Sequence, residues 1–311
     1  MPKRSIVDRL KAGEVLLMDG ATGTELQRRG VNINKGATVE GGLGVWSAAA
    51  NIDAPGLVRA IHEDYLKLGA DIIISNNFYT TRPMMAMIGK EDQWEEYTRR
   101  AVELAKQARD AVNSEAYVAG GFAPFDPEGD YAEEFEATAR VLTKSGVDFL
   151  LPEYFAGDTY SDSPIEDCVT AVEACSKFDL PVFLGVCLVT EKGTMMHGES
   201  FDDLAAALKG LRLDCVLLMC CSAPAASACL PKLRKAFDCA VGAYAENEYI
   251  DNPKFGTSPD EPFFVFGPEG LDPEEYAGYA REWKKMGAQV IGGCCGTTPE
   301  HIRAIAPIVK G

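Results

Sequence analysis

An eightfold β/α barrel is the fold this sequence predicts, and three observations predict it. Eight short apolar runs recur along the 311 residues, an amphipathic stretch follows each, and no linker or low-complexity break interrupts the series. The runs fall at 15–19, 71–76, 117–122, 148–153, 181–188, 215–221, 239–245 and 290–295. Their Val, Ile, Leu, Phe, Ala and Cys residues are continuous rather than alternating, as in strands of a parallel sheet covered on both faces.

The intervening segments have helical periodicity. In 57–69 the apolar residues stand at 57, 58, 61, 65, 66 and 68, and Gly69 closes the segment. Stretches 91–112, 131–145, 164–178, 200–209, 224–237, 272–286 and 299–309 follow the same pattern. Gly146, Gly210 and Gly287 close three of them, at the place where a helix hands over to a strand. The last helix has a clear start, with Thr298 as N-cap, Pro299 at the first helical position and Glu300 in the first turn. A doubly wound open sheet is the alternative. It requires a G-x-G-x-x-G turn after the first strand, and the turn here, DGATGTEL, does not have that spacing. Two longer excursions, 30–56 and 246–271, fall on the face where the carboxyl ends of barrel strands converge.

Composition narrows the function classes. The chain is 47% hydrophobic and 25% charged, ordinary for a folded domain of this length and enough for a large core without disulfides. Thirty Lys and Arg against 47 Asp and Glu leave a net charge of −17, which repels phosphate backbones and anionic lipid headgroups. Neither nucleic acid nor membrane is therefore an expected partner. No apolar run reaches the ~18 residues of a membrane helix, and the amino-terminal stretch lacks the apolar core of a signal peptide, so a cytoplasmic protein is expected. In such a compartment the ten cysteines are core residues, reactive thiols or metal ligands.

Active sites of barrels lie at the carboxyl ends of the strands. Collected there are Asp19, Asn76, Asn77, Glu153, Cys187, Cys220, Cys221, Cys294 and Cys295, so three of eight strands end in cysteine. Strands six and eight lie two apart around a barrel, close enough to share one ion. Zinc favours sulfur in tetrahedral arrangement, and three protein thiolates leave one position for a substrate. Neighbours in an extended strand point apart, so Cys294 and Cys295 can both ligate only if the chain turns, which Gly292, Gly293 and Gly296 permit. Cysteines that simply pack the core are the competing reading. Cys187 is a candidate for a substitute ligand or for packing, while Cys168, Cys175, Cys215, Cys229 and Cys239 read as packing. His62 and His301 sit on helix faces outside the barrel, whereas His197 follows strand five on the active-site face.

The segments DGATGTELQRRG, WSAAANIDAPGLVRAIHEDYLKLGADIIISNNFY, LLPEYF, MCCSAP and VIGGCCGTTPEHI together resemble the homocysteine S-methyltransferase family, from about residue 8 to 309. That resemblance implies the same barrel, with zinc held by the cysteine of an N-C-x-x-P segment and by both cysteines of the ending. Cys221, Cys294 and Cys295 match those positions, and Cys220 stands where relatives commonly have Asn. Strand alternation lets only one of Cys220 and Cys221 face inward, and the C-x-x-P match selects Cys221. The resemblance further implies that Asp19 and Gly20 line the substrate pocket and that Glu153 holds the amino group of homocysteine, a charge-assisted pairing. Trp46, Phe78, Tyr79 and Tyr154, with Asn77, stand near the strand ends, where aromatic faces suit a cationic methyl donor.

The activity so implied moves a methyl group from a small sulfonium or quaternary ammonium donor to the homocysteine thiol, giving methionine, with Zn2+ as cofactor. Zinc supplies the activation, so no catalytic acid or base is expected. Alternatives are a different thiol or selenol acceptor, which the Cys220 departure suggests, a zinc-binding barrel without catalysis, and a metal-free barrel using glycines 292–296 to hold phosphate. The chain stops soon after its eighth helix, without the arm that some tetrameric relatives use, so one barrel domain over 1–311, as monomer or homodimer, is expected.

Overall fold

The computed structural model describes residues 3–37, 43–125, 130–156, 163–247, 250–251, 264–265 and 270–311. Eight parallel strands form within the eight apolar runs: β1 Leu16–Leu17, β2 Ile72–Ile74, β3 Tyr117–Phe122, β4 Phe149–Pro152, β5 Phe183–Cys187, β6 Cys215–Met219, β7 Ala240–Ala245 and β8 Val290–Gly293. One arc runs β1-β8-β7-β6-β5 and another β2-β3-β4. Isolated bridges, Met18 to Ile72 at one gap and Leu150 to Val182 and Phe155 to Val186 at the other, join the two arcs and complete the ring. The fold is the β/α barrel expected from the periodicity. The excursion 246–271 lies mostly outside the described residues; within it, Ile250–Asp251 pairs antiparallel with Phe264–Val265.

Side chains alternate between two packed layers, as the period of a strand requires. Cys215, Leu217 and Met219 of β6 join Leu16, Phe149, Leu151 and Phe183 in an inner cluster. Val216 and Leu218 join Leu17, Ile73, Val118 and Leu150 in the outer layer beneath the helices. The short helix Ile6–Lys11 adds Ile6 and Leu10 to the inner cluster and so plugs the floor of the barrel.

Helix ends follow the sequence signals. Asp130 caps Tyr131–Ser145, and Ser200, Asp272 and Thr298 each form a capping box. Gly69, Gly146, Gly210 and Gly287 take left-handed φ of 97°, 83°, 91° and 93° where the chain turns toward the next strand. At the floor a repeated device fixes the strands. Asp71, Asp148 and Asp214, which precede β2, β4 and β6, accept backbone N–H groups of Leu17, Val118 and Val182 at 2.9, 2.7 and 3.0 Å. Lys310 and Arg9 pair with Asp71, and Lys3 with Asp148.

Candidate metal and substrate site

The mouth of the barrel holds a pocket of about 120 Å³, lined by the turn Gly20–Thr24, by Trp46, Ser47, Asn76, Phe78, Glu153, Tyr154, Met219 and Tyr244, and by three cysteines. Two backbone turns bring those cysteines together. After β8 the chain bends through Gly296, at φ 76°, so that Cys294 and Cys295 both face the pocket. Thr297 Oγ1 donates to the Cys294 carbonyl at 2.7 Å, and the Gly296 N–H donates to Thr24 Oγ1 at 3.1 Å, which ties this turn to the one after β1.

The third cysteine is Cys220, not Cys221. The sulfurs of Cys220, Cys294 and Cys295 all lie within 4.8 Å of one another, the one such group among the described residues. Cys221 packs in the outer layer instead, 4% exposed. Uninterrupted alternation from Met219 would have sent Cys221 inward. Cys220 instead takes a left-handed φ of 43°, which interrupts the alternation and keeps it on the pocket side beside Met219. The cysteine expected to join the pair thus lies outside the cluster, and the cysteine at the commonly Asn position joins it. Cys187 is fully buried in the inner layer and stands outside the trio.

The three thiols are not equivalent. Cys295 accepts hydrogen bonds from Cys220 and Cys294, which hold it down at about 5 against burial. Cys294 is pushed up by donating to both neighbours and by burial. Cys220 accepts from Cys294 but donates to Cys295 and is buried, and it ends above its ordinary value. Three buried sulfurs turned to a common point are a donor set that suits a soft divalent ion.

Sharing the pocket with the sulfurs is Glu153, 4% exposed, its carboxyl pushed up to about 8 by burial despite the hydrogen bond from Tyr244. Asp19 lies behind the lining rather than in it. Its carboxylate accepts the Ile74 N–H at 2.9 Å, and burial raises it well above the usual range. Among the described residues no cation pairs with either group. The pocket is therefore prepared for a positive charge that none of the described residues supplies.

Trp46, Phe78 and Tyr154 reach the pocket, and Phe78 meets Tyr154 edge to face at 5.6 Å. Trp46 and Tyr154 hold left-handed φ of 47° and 64°, sparsely populated for aromatic residues and found where surrounding packing enforces a functional placement. Besides Asp19, two expected residues do not reach it. Tyr79, 1% exposed, packs behind Phe78 at 4.5 Å. The Asn77 amide binds Thr80 Oγ1 and the Thr98 carbonyl, because the turn after β2 points it into the wall. Asn76 faces the pocket in its place, bound to Ser47 and Asn51 in a buried network. His197 is exposed and outside the lining, His62 is fully buried, and His301 completes the capping box of the last helix. Sequence reasoning also missed Met219, which opens the segment MCCSAP but was given no role, and Tyr244, which lies inside an ordinary apolar run.

The model of the family described as homocysteine S-methyltransferase matches residues 16–309. The chain belongs to the homocysteine S-methyltransferase family. It is accordingly an enzyme of the methyltransferase class. S-methylmethionine–homocysteine S-methyltransferase BHMT2 of Rattus norvegicus is 30% identical, over 98% of this chain and 81% of that protein. Betaine–homocysteine S-methyltransferase 1 of Rattus norvegicus is also 30% identical, over 98% of this chain and 74% of the relative. Among solved structures, the metallated form of the homocysteine methyltransferase MmuM from Escherichia coli superposes with a TM-score of 0.73 at 25% identity, covering 96% of this chain and 98% of that one. No helix among the described residues is long and apolar enough to cross a membrane.

Proposed function

We propose that this family member transfers a methyl group from a small sulfonium or quaternary ammonium donor to the thiol of homocysteine, giving methionine, in a zinc-dependent reaction within a single barrel domain. The observation that carries the reading is the joining of a three-sulfur cluster and an uncompensated buried carboxylate in one pocket. Cys220, Cys294 and Cys295 would hold the ion. A thiol titrates near ~8.5 in water, and zinc supplies a lower pKa for the acceptor sulfur, so that it is present as thiolate at neutral pH.

The residues of this chain supply the rest. Glu153 receives the amino group of the acceptor, and the arriving ammonium restores its ionised form by opposing the burial penalty. Gly20 lines the same side with its backbone, and Asp19 supports it from behind. Trp46, Phe78 and Tyr154 offer ring faces to the cationic donor and exclude water from it. Attack of the thiolate on the methyl carbon forms the C–S bond, and the onium bond breaks with its electron pair leaving on nitrogen or sulfur. The acceptor's proton passes to solvent, so no general base is required, and orientation of the two substrates is the main contribution of the pocket. Cytoplasmic residence as a monomer or homodimer acting on small molecules alone fits the net charge of −17.

The test is zinc-replete protein with homocysteine and a panel of onium donors, following methionine by mass. Donor-dependent methionine and about one zinc per chain are expected. Absence of methionine with every donor would overturn the reading.

A further inference from the structure

Strand β7 brings no thiol and no carboxylate to the pocket, yet it lies between the two cysteine-bearing strands and touches both halves of the site. The Tyr244 carbonyl accepts the Cys220 N–H at 3.2 Å, and the next carbonyl, Ala245, accepts the Cys294 N–H at 2.8 Å. The Tyr244 side chain turns the other way. Its hydroxyl, in a residue 2% exposed, donates to Glu153 Oε2 at 3.2 Å, with Met219 Sδ also at 3.2 Å. One residue thus anchors a member of the sulfur cluster through its backbone and the facing carboxylate through its side chain.

The space around this contact is closed. A methyl group added at Gly185 on β5 would stand 2.7 Å from the Tyr244 hydroxyl and 3.1 Å from Glu153 Cβ. One added at Gly121 on β3 would collide with the Glu153 carboxylate and lie 2.8 Å from Ile74 Cγ2. Two bare strand positions wall Glu153 in, and Tyr244 holds the end of its side chain.

We infer that Tyr244 is a positioning residue that sets the separation between the ammonium-binding carboxylate and the sulfur cluster, and so selects acceptors by the number of carbons between amino group and thiol. The inference rests on the proposed methyl transfer to an amino thiol. An acceptor one methylene shorter than homocysteine reaches only one of two fixed anchors at a time. Without the hydroxyl, Glu153 still meets the arriving ammonium but loses the bond that fixes its side-chain conformation, and it can follow the shorter molecule.

The experiment uses zinc-replete Tyr244→Phe, with homocysteine and cysteine as acceptors and calorimetric titration of both thiols beside turnover. Expected are a rise of about tenfold in KM for homocysteine, the scale of one hydrogen bond to a charged group, and a fall of about tenfold in the preference for homocysteine over cysteine. Zinc content and donor KM should stay within twofold. Gly185→Ala, pressing on the hydroxyl from β5, should lower the preference in the same way. An unchanged preference in both variants, no preference in the parent protein, or a parallel loss for both thiols and the donor would each overturn the assignment. Failure of the parent protein to make methionine counts against the proposed activity instead, and the calorimetric preference still decides the role of Tyr244.

Discussion

The two ends of the barrel treat buried carboxylates in opposite ways. At the floor, Asp71 accepts a backbone N–H and pairs with Lys310 at 2.7 Å and Arg9 at 3.2 Å, and Asp148 is held by Lys3 at 2.8 Å. At the mouth, Glu153 and Asp19 are buried more deeply with no cation beside them among the described residues, and both are pushed toward the neutral form. The same chemistry is satisfied internally at one end and left for a ligand at the other. The backbone differs in parallel. Tyr154, Leu188 and Cys220, which follow β4, β5 and β6, all adopt left-handed φ at the mouth. This is the usual division of a barrel, with stability fixed at the amino ends of the strands and function carried at the carboxyl ends.

The comparison breaks most visibly at the sulfurs. Cys220→Ser, Cys294→Ser and Cys295→Ser should each lower zinc from about one per chain to below a tenth, with loss of activity of a thousandfold or more, read by elemental analysis and methionine formation. Cys221→Ala should keep its zinc and cost about 1–2 kcal/mol of stability, the scale of trimming a small buried side chain. Zinc loss in Cys221→Ala with retention in Cys220→Ser would reverse the ligand assignment.

A reciprocal pair tests the carboxylates. Asp71→Asn should destabilise by about 1 kcal/mol in denaturant melts, because Lys310 loses its partner while Arg9 keeps Glu14, with kcat per folded molecule unchanged. Glu153→Gln should raise acceptor KM by about 10–100-fold. In the ligand-free protein it should also stabilise at alkaline pH. The folded value of Glu153 is raised to about 8, so its contribution is present below the ordinary value of 4.5 and lost as pH rises through about 8. A melting temperature for Glu153→Gln that gains nothing over the parent between pH 5 and 9 would count against an uncompensated carboxylate at the mouth.

The smallest effect sharpens the contrast by testing a buried group at neither end. His62 is fully buried on helix Pro55–Lys67 with no hydrogen-bond partner for either ring nitrogen among the described residues, and burial lowers it to about 4. Its folded value lies below the ordinary 6.5, so the stability it contributes is intact above 6.5 and is lost as pH falls toward 4. His62→Leu should flatten the decline in melting temperature between pH 6.5 and 4.5, and an identical slope in both proteins would show that another group governs it.

Much of the fold was legible in one dimension, because strand runs, closing glycines and capping residues are local signals. The eight runs contain the eight strands, and Thr298 caps the last helix as its sequence implies. The vicinal pair Cys294-Cys295 was legible too, since the glycines around it permit the turn that presents both sulfurs. Asn77, Tyr79 and Cys221 were assigned to the site and stand in its wall, while Asn76 and Cys220 occupy the pocket. At Asn77 and Cys221 the difference is a displacement of one residue, beyond the end of a strand. There the period of two no longer holds.

What the sequence by itself determined is the eightfold ring, the face on which chemistry collects, and the supply of thiols and carboxylates at that face. Which member of each adjacent pair turns inward was decided only in three dimensions. At Cys220 the outcome depends on one left-handed dihedral, and its N–H is taken by the Tyr244 carbonyl, a partner 24 positions away along the chain. A choice made by a neighbouring strand has no signature in the local pattern.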